Sequence, residues 1–193
     1  MSSMPARLGD EHRRALLKVA SDSIVHGLEH NCPLPVEPAD HAAPLREVRA
    51  TFVTLHLANK LRGCIGTLEA RRTLIADVAH NAFAAAFRDP RFKPVTKDDA
   101  DQIDVHISLL SPPEPIQFNS EMDLIRKLRP RVDGLIFEEG PCRSTFLPAV
   151  WESLPEPHQF FEALKRKAGL LENYWSGTIR VWRYTTESIP QAY

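Results

Sequence analysis

The sequence predicts an α+β fold, with a mixed, mostly antiparallel sheet flanked by helices, from two patterns. Alternating apolar and polar residues indicate strands at 53–58 and 103–109. Apolar residues spaced three and four apart indicate helices at about 11–28 and 75–87. Short turns, rather than helices, join most neighbouring strands, and such connections favour antiparallel pairing over a doubly wound parallel sheet.

The first half of the chain follows this scheme in order. Asp10 is a candidate N-cap for the first helix, and the prolines of segment 31–44 predict an extended connection after it. The first strand is expected to pair with a second one at 61–68, because the polar residues Asn59 and Lys60 between them suit a hairpin turn.

The second half adds short helices and a second hairpin. Thr96 and Ser120 are candidate caps of two short helices. A hairpin is expected between strands at 134–138 and 143–147. The last predicted elements are a short helix at 149–154, a helix from Pro157 that ends at a left-handed Gly169, and a strand at 178–184.

Length and composition indicate an ordinary soluble globular protein. The chain has 193 residues, of which 43% are hydrophobic and 25% are charged, and its formal net charge is −1. Because there is no basic excess, nucleic acid is not an expected partner. No apolar run reaches the roughly 18 residues of a membrane span, so no membrane association is expected either.

Cysteine usage predicts a reducing, cytoplasmic setting. No apolar leader segment is visible before the first helix, so no secretory signal is expected. The cysteines are odd in number and widely spaced, which does not suit a disulfide framework. All of them are therefore expected to be free thiols: Cys32, Cys64 and Cys142.

The most informative motif is the run 61–67, which reads Leu-Arg-Gly-Cys-Ile-Gly-Thr. It places Cys64 between two glycines, and glycine lets a backbone or a ligand approach closely. Arg62 lies two residues before the sulfur, and a nearby guanidinium favours the reactive thiolate. Cys64 is therefore a candidate nucleophile. The alternatives are a buried structural thiol and an unreactive thiol at a binding surface.

A nucleophilic cysteine needs a base, and His56 is a candidate because its strand is expected to pair with that of Cys64. Another strand carries residues that match a catalytic triad in type: Asp104, His106 and Ser108. Neighbours on one strand face are about 7 Å apart, and this spacing argues against a hydrogen-bonded relay among them. The more ordinary interpretation of both histidines is a solvated strand face.

The loop after the second predicted helix concentrates charge between two prolines. Its charged residues are Arg88, Asp89, Arg91 and Lys93. One interpretation is an anion site beside Cys64. The other is that Asp89 caps the amides of the loop while an arginine packs its stem on Phe92.

No metal site or resident cofactor is predicted. His26 and His30 share a helix face and precede Cys32 and His41, a spacing that could hold zinc, but a polar helix face is the favoured interpretation. The sequence contains no phosphate-binding loop, no dinucleotide fingerprint and no radical SAM cysteine triplet. ATP, NAD and iron–sulfur clusters are therefore not expected in this chain.

Five runs occur in a characteristic order: 61–67, 84–92, 108–115, 145–148 with 150–151, and 164–170. In this order they resemble the AMMECR domain family, whose bacterial and archaeal members are called AmmeMemoRadiSam system protein A. The resemblance covers about 13–187. It rests most strongly on the Leu-Arg-Gly-Cys-Ile-Gly-Thr run.

The resemblance implies a single domain over 1–193, with a larger and a smaller lobe and no clear linker. It implies a Memo-like protein and a radical SAM protein as partners, and it supplies no settled reaction. Two residues depart from the family pattern. His106 stands where a small polar residue is more usual, and Cys142 lies in a turn that is usually rich in Gly and Arg. The oligomeric state stays open.

Two functions are compatible with these observations. The first is a cysteine-dependent enzyme, or catalytic subunit, for acyl or related group transfer in a cleft between the lobes. Cys64 is then the nucleophile, and Arg62 and Arg91 bind an anionic group. The other expected binding residues are Gly63, Gly66, Thr67 and His56. The second function is a non-catalytic protein that binds its partners through the surface 61–67.

Overall fold

Two four-stranded sheets, rather than the single one predicted, organise the α+β fold of this chain. The structure, a computed structural model, describes residues 8–190. Its elements, in chain order, are α1 (Asp10–His30), β1 (Thr51–Leu57), β2 (Lys60–Gly66), α2 (Leu74–Phe87), α3 (Lys97–Ala100), β3 (Ile103–Leu110), β4 (Glu114–Pro115), α4 (Glu121–Lys127), β5 (Gly134–Glu139), β6 (Cys142–Phe146), α5 (Pro157–Lys167), β7 (Arg180–Tyr184) and β8 (Thr186–Pro190). Contacts divide them into two compact units, one of residues up to 110 and from 187, the other of residues 111–186.

Several predicted elements are confirmed closely. The predicted helix at 75–87 corresponds to α2. The side chains of Thr96 and Ser120 each accept a hydrogen bond from a backbone N–H of the helix that follows, α3 and α4 respectively. Gly169, just after α5, has the expected left-handed backbone with φ of 86°. At these positions the local signals in the sequence and the tertiary contacts favour the same conformation.

The start of α1 and the first hairpin turn differ from the prediction. Gly9 occupies the N-cap of α1, and Asp10 is the first residue of the helix. The turn between β1 and β2 falls at Ala58 and Asn59, whose φ values of 50° and 61° are both left-handed. Two successive left-handed residues are typical of a two-residue hairpin turn, because their twist matches that of the paired strands.

Other differences have simple physical reasons. The predicted helix at 149–154 is a 3-10 helix, Pro148–Glu152. The strand predicted at 178–184 corresponds to β7, which begins at Arg180. Two strands were not predicted, because β4 is too short to show alternation and β8 contributes one residue, Ile189, to the core of its unit.

The first unit packs α1 and α2 against one face of the sheet, whose strand order is β2-β1-β3-β8. β1 pairs antiparallel with both β2 and β3. The apolar residues of the alternating strands are buried against the helices, among them Val53, Leu55, Val105 and Ile107. The opposite side of the sheet is called the polar face below, and it carries Thr54, His56, Cys64, Asp104 and His106.

Gly63 lets α2 approach β2 at backbone distance. A Cβ built on Gly63 would lie 2.1 Å from the carbonyl oxygen of Ala85, in the middle of the run Ala84-Ala85-Ala86. Small residues on the helix and a glycine on the strand therefore make one close contact together. This contact sets the position of the end of α2 and of the loop that follows it.

A buried polar cluster fixes the other part of α2. Thr51 donates to Asp77 Oδ2 from its backbone nitrogen at 3.1 Å and from its hydroxyl at 2.7 Å. The amide of Asn81 donates to the carbonyl oxygen of Thr51 at 3.1 Å. Burial raises the pKa of Asp77 in spite of these hydrogen bonds. The helix is thereby held to the beginning of β1.

The second unit has its own sheet, with strand order β4-β7-β5-β6, and its own core. Trp151 stacks on Phe160 with ring centroids 3.8 Å apart, and its indole nitrogen donates to the carbonyl oxygen of Asp133. The ammonium group of Lys165 is fully buried and pairs with Glu121 at 2.6 Å. No helix within 8–190 combines the length and the apolar character required to span a bilayer.

Replacing Gly63 by alanine should destabilise the fold. The new Cβ would collide with a backbone carbonyl that cannot rotate away, so we expect Gly63→Ala to lower the free energy of unfolding by about 3 kcal/mol. Gly177→Ala is the matched control, because no atom lies within 4 Å of a Cβ built there. Urea denaturation of both variants measures the difference, and equal midpoints would contradict the close packing.

Candidate functional site

The backbone of Cys64 is clamped by two side chains from the loop between α2 and α3. The N–H of Cys64 donates to Asp89 Oδ2 at 2.9 Å, and Arg91 Nη2 donates to the carbonyl oxygen of Cys64 at 3.2 Å. Arg91 also donates to both carboxylate oxygens of Asp89, at 3.0 Å and 2.7 Å. Because β2 is an edge strand, these side chains take the place of a neighbouring strand at Cys64.

Asp89 is the buried charge of this clamp. Its side chain is 1% exposed. The hydrogen bonds from the Arg91 guanidinium, and then those from the backbone N–H groups of Cys64 and Arg91, hold the pKa of Asp89 well below its usual range. The carboxylate therefore stays ionised and serves as an acceptor for the loop and for β2, as the second interpretation of this loop predicts. Arg91 packs over the ring of Phe92 at 5.4 Å.

The sulfur of Cys64 lies on the polar face beside Thr54. Both hydrogen-bonding backbone groups of Cys64 point away from β1, so Thr54 and Cys64 form the kind of cross-strand pair whose side chains are closest. The Thr54 hydroxyl donates to Sγ at 3.2 Å. Within residues 8–190, Thr54 is the hydrogen-bonding partner of this sulfur, and Cys64 is half-buried.

Arg62 does not lie against the sulfur, contrary to the sequence-based expectation. Its guanidinium donates to the carbonyl oxygens of Lys93 and Pro94, at 2.7 Å and 3.1 Å, and pairs with Asp99 at 3.2 Å. The pairing of β1 with β2 shifts by one residue here, and Arg62 is the residue without a partner. This irregularity directs the side chain to the loop, because alternation of the faces is interrupted.

Gly63, Gly66 and Thr67 make close contacts within the sheet and with its helix. Gly63 is buried against α2, and a Cβ on Gly66 would lie 2.3 Å from the carbonyl oxygen of Thr51. Thr67 donates its N–H to the same carbonyl and its hydroxyl to the carbonyl of Glu69. These contacts give the three residues a packing role, and their predicted binding role stays a prediction.

His56 lies close to the pair formed by Asp104 and His106 on the polar face. Asp104 Oδ2 and His106 Nε2 are 2.8 Å apart, and the rings of His56 and His106 have centroids 5.1 Å apart. The expectation that strand spacing prevents a hydrogen bond between Asp104 and His106 was wrong, because the two side chains bend toward each other along the strand. Ser108 takes no part in it.

The histidines of α1 do not form the zinc set that the sequence allowed. His26 Nε2 is 3.5 Å from Cys32 Sγ, and the ring of His26 lies 4.3 Å from that of His30. A different group of three metal-ligating side chains converges within the described part of the chain: His56, Asp104 and His106. Sequence reasoning placed all three on polar strand positions, and only the register of β1 with β3 brings them together.

Removing the Asp89 carboxylate should weaken the fold around Cys64. We expect Asp89→Ala to lower the free energy of unfolding by about 2 kcal/mol at neutral pH, because four N–H donors lose a charged acceptor. A carboxylate with a lowered pKa contributes fully above its ordinary value of about 4 and loses its contribution as the pH falls further. The difference in free energy of unfolding between the wild type and Asp89→Ala should therefore be smaller at pH 3 than at pH 7. Asp101→Ala, at an exposed position of the same unit, is the control.

Known proteins are similar to this chain over nearly its whole length. The AMMECR1 family model matches residues 17–189. A protein from Methanothermobacter thermautotrophicus is 36% identical over 94% of this chain and 95% of its own length, and one from Thermotoga maritima is 38% identical over 79% and 84%. The crystal structure of an uncharacterized protein from Pyrococcus horikoshii, at 32% identity, matches with a TM-score of 0.83 and covers 94% of this chain and 92% of its own. The chain belongs to the AMMECR1 family.

Proposed function

We propose that this AMMECR1-family protein is a thiol-dependent enzyme whose nucleophile is the sulfur of Cys64. The position of that sulfur carries the proposal: it is half-buried on the polar face, and Thr54 donates a hydrogen bond to it at 3.2 Å. The backbone of the same residue is fixed by Asp89 and Arg91. A group held in one orientation reacts without a further loss of conformational freedom.

The reaction that suits this arrangement is transfer of an acyl group from an activated donor. The thiolate sulfur attacks the acyl carbon and forms a C–S bond, and the bond to the leaving group breaks with the electron pair departing on that group. An acceptor then attacks the thioester and returns the thiolate, which the Thr54 hydroxyl can solvate. The attacking form is the thiolate, since cysteine is intrinsically a strong nucleophile once its proton is removed.

Arg91 is the candidate for an anionic group on the substrate. It holds Asp89 and Cys64 through Nε and Nη2, and its side chain is 56% exposed, which leaves the second terminal nitrogen available to a ligand. Arg62 uses both terminal nitrogens within the protein and is 16% exposed. The proposed anion-binding role is therefore assigned to Arg91 alone.

The alternative, a non-catalytic protein that binds partners through the surface 61–67, is less well supported. An edge strand can bind a partner by extending the sheet. At Cys64, however, both outward backbone groups are occupied by Asp89 and Arg91. A partner would have to bind the polar face instead, where the thiol itself lies.

Partners and compartment remain proposals that the family resemblance and the cysteines support. We propose that the protein works with a Memo-like protein and a radical SAM protein in the cytoplasm. No disulfide joins Cys32, Cys64 and Cys142, which suits a reducing compartment. Purification of the tagged chain from its native cells under mild conditions, followed by mass spectrometry, tests the partnership.

Cys64 should be acylated ahead of the other cysteines. When the native protein is mixed with a simple activated ester such as p-nitrophenyl acetate, we expect an acetyl group on Cys64 by mass spectrometry, followed by its release. Cys32 and Cys142 are internal controls in the same sample. Cys64→Ser should lose the modification and the turnover while it keeps its fold. Labelling of Cys64 only after unfolding would rule out the nucleophile.

The hydroxyl of Thr54 should contribute to that reactivity. Thr54→Val keeps the shape and removes the donor to sulfur, so we expect the acylation rate of Cys64 to fall about tenfold, the value of one hydrogen bond of about 1.4 kcal/mol. Thr54→Ser retains a hydroxyl and is the matched control. Equal rates in the valine and serine variants would show that the contact has no role in the chemistry.

A further inference from the structure

Three metal-ligating side chains converge on the polar face of the first sheet. One ligand atom from each of His56, Asp104 and His106 lies within 4.8 Å of the other two. The carboxylate of Asp104 and Nε2 of His106 are 2.8 Å apart, and the two imidazole rings meet edge to face. Two imidazoles and one carboxylate are a donor set that proteins use for divalent transition metals.

The register of the two central strands produces this cluster. His56 on β1 is the direct cross-strand partner of Asp104 on β3, and His106 is the next residue of β3 on the same face. Neither strand is at an edge, because the order of the sheet is β2-β1-β3-β8. The three side chains are therefore mounted on paired, rigid backbone, as a preorganised ligand set requires.

The cluster can be reached from solvent and contains one ring nitrogen without a hydrogen-bond partner among residues 8–190. The side chains of His106 and Asp104 are 35% and 23% exposed, so an ion can reach them from solvent. Nδ1 of His56 is shielded from solvent and has no hydrogen-bond partner among residues 8–190. A histidine whose ring nitrogen lacks a partner is unusual in a merely solvated strand face, because buried polar atoms are normally satisfied.

We propose that His56, Asp104 and His106 bind a divalent transition-metal ion, with Zn²⁺ as the ion that best suits the donor set. In a tetrahedral zinc site, with metal–ligand distances of about 2.0–2.1 Å, neighbouring ligand atoms lie about 3.3 Å apart. The ligand atoms of Asp104 and His106 are 2.8 Å apart and all three ligand atoms lie within 4.8 Å of one another, a range that includes this value. Three protein ligands leave the fourth position for water or a substrate atom.

The metal site does not depend on the proposed reaction of Cys64. Thr54 lies between them, since it is the cross-strand partner of Cys64 on one side and of His106 on the other. The two residues are thus two strand spacings, about 9–10 Å, apart along the sheet, and among residues 8–190 the group of ligand atoms that lie within 4.8 Å of one another does not include the Cys64 sulfur. Loss of the thiol should therefore leave metal binding unchanged.

Titration of the untagged full chain with Zn²⁺, followed by calorimetry, tests the site. Changing a residue that only orients a ligand typically costs 10–100-fold in metal affinity, so we expect loss of a ligand in His106→Ala or His56→Ala to cost at least about 100-fold. His106→Gln and His56→Gln preserve side-chain volume and should lose affinity as well, which separates ligand loss from misfolding. Binding of Co²⁺ should give the intense visible absorption of a low-coordinate site in the wild type.

Three further variants separate this site from zinc binding elsewhere on the chain. His158→Ala removes an imidazole that is 65% exposed on α5 and should leave the affinity unchanged. Cys64→Ser should also bind Zn²⁺ as the wild type does. The proposal is overturned if His106→Gln binds Zn²⁺ normally, if His26→Ala removes the binding instead, or if the wild type does not bind. The last result would mean that Asp104 and His106 form only a hydrogen-bonded pair.

Discussion

The contact of Gly63 with the backbone of α2 is the constraint on which the candidate site depends. A Cβ at this position would lie 2.1 Å from the carbonyl oxygen of Ala85, so the helix and the strand can meet only where the strand has glycine. The helix ends two residues later, and its loop returns at once to the edge of the sheet. Asp89 and Arg91 reach the backbone of Cys64 because that helix end is so close.

This arrangement gives the two sides of β2 different roles. The backbone groups at Cys64 are occupied from outside by Asp89 and Arg91, while the sulfur is presented on the polar face next to Thr54. The two arginines that were predicted to bind the substrate mainly hold groups of the protein itself. Arg91 binds Asp89 and the backbone of Cys64, and Arg62 binds the carbonyl oxygens of Lys93 and Pro94. The polar face, with the thiol and with His56, Asp104 and His106, is then the surface left for chemistry.

Elements that depend on local sequence patterns could be predicted from the sequence. Features that depend on the pairing register of the strands could not. Periodicity was enough for α2, and turn chemistry was enough for Gly169. The division into two sheets depends on long-range pairing that no local pattern encodes. The direction of Arg62 depends on a one-residue shift in pairing, and two residues on a strand share a face only where alternation is unbroken. The meeting of His56 with Asp104 likewise needed the register of β1 with β3.

The left-handed turn between β1 and β2 has a consequence for the order of folding. Ala58 and Asn59 both have positive φ, a conformation that Asn adopts readily but that costs roughly 1–2 kcal/mol for alanine. The turn therefore contributes little to the stability of the hairpin. The position of Cys64 in β2 is fixed by its hydrogen bond to the carboxylate of Asp89, 25 residues further along the chain. During synthesis, Cys64 can reach its final position only after α2 and Asp89 have left the ribosome. The thiol thus reaches its final position late in folding, through tertiary contacts rather than through local structure.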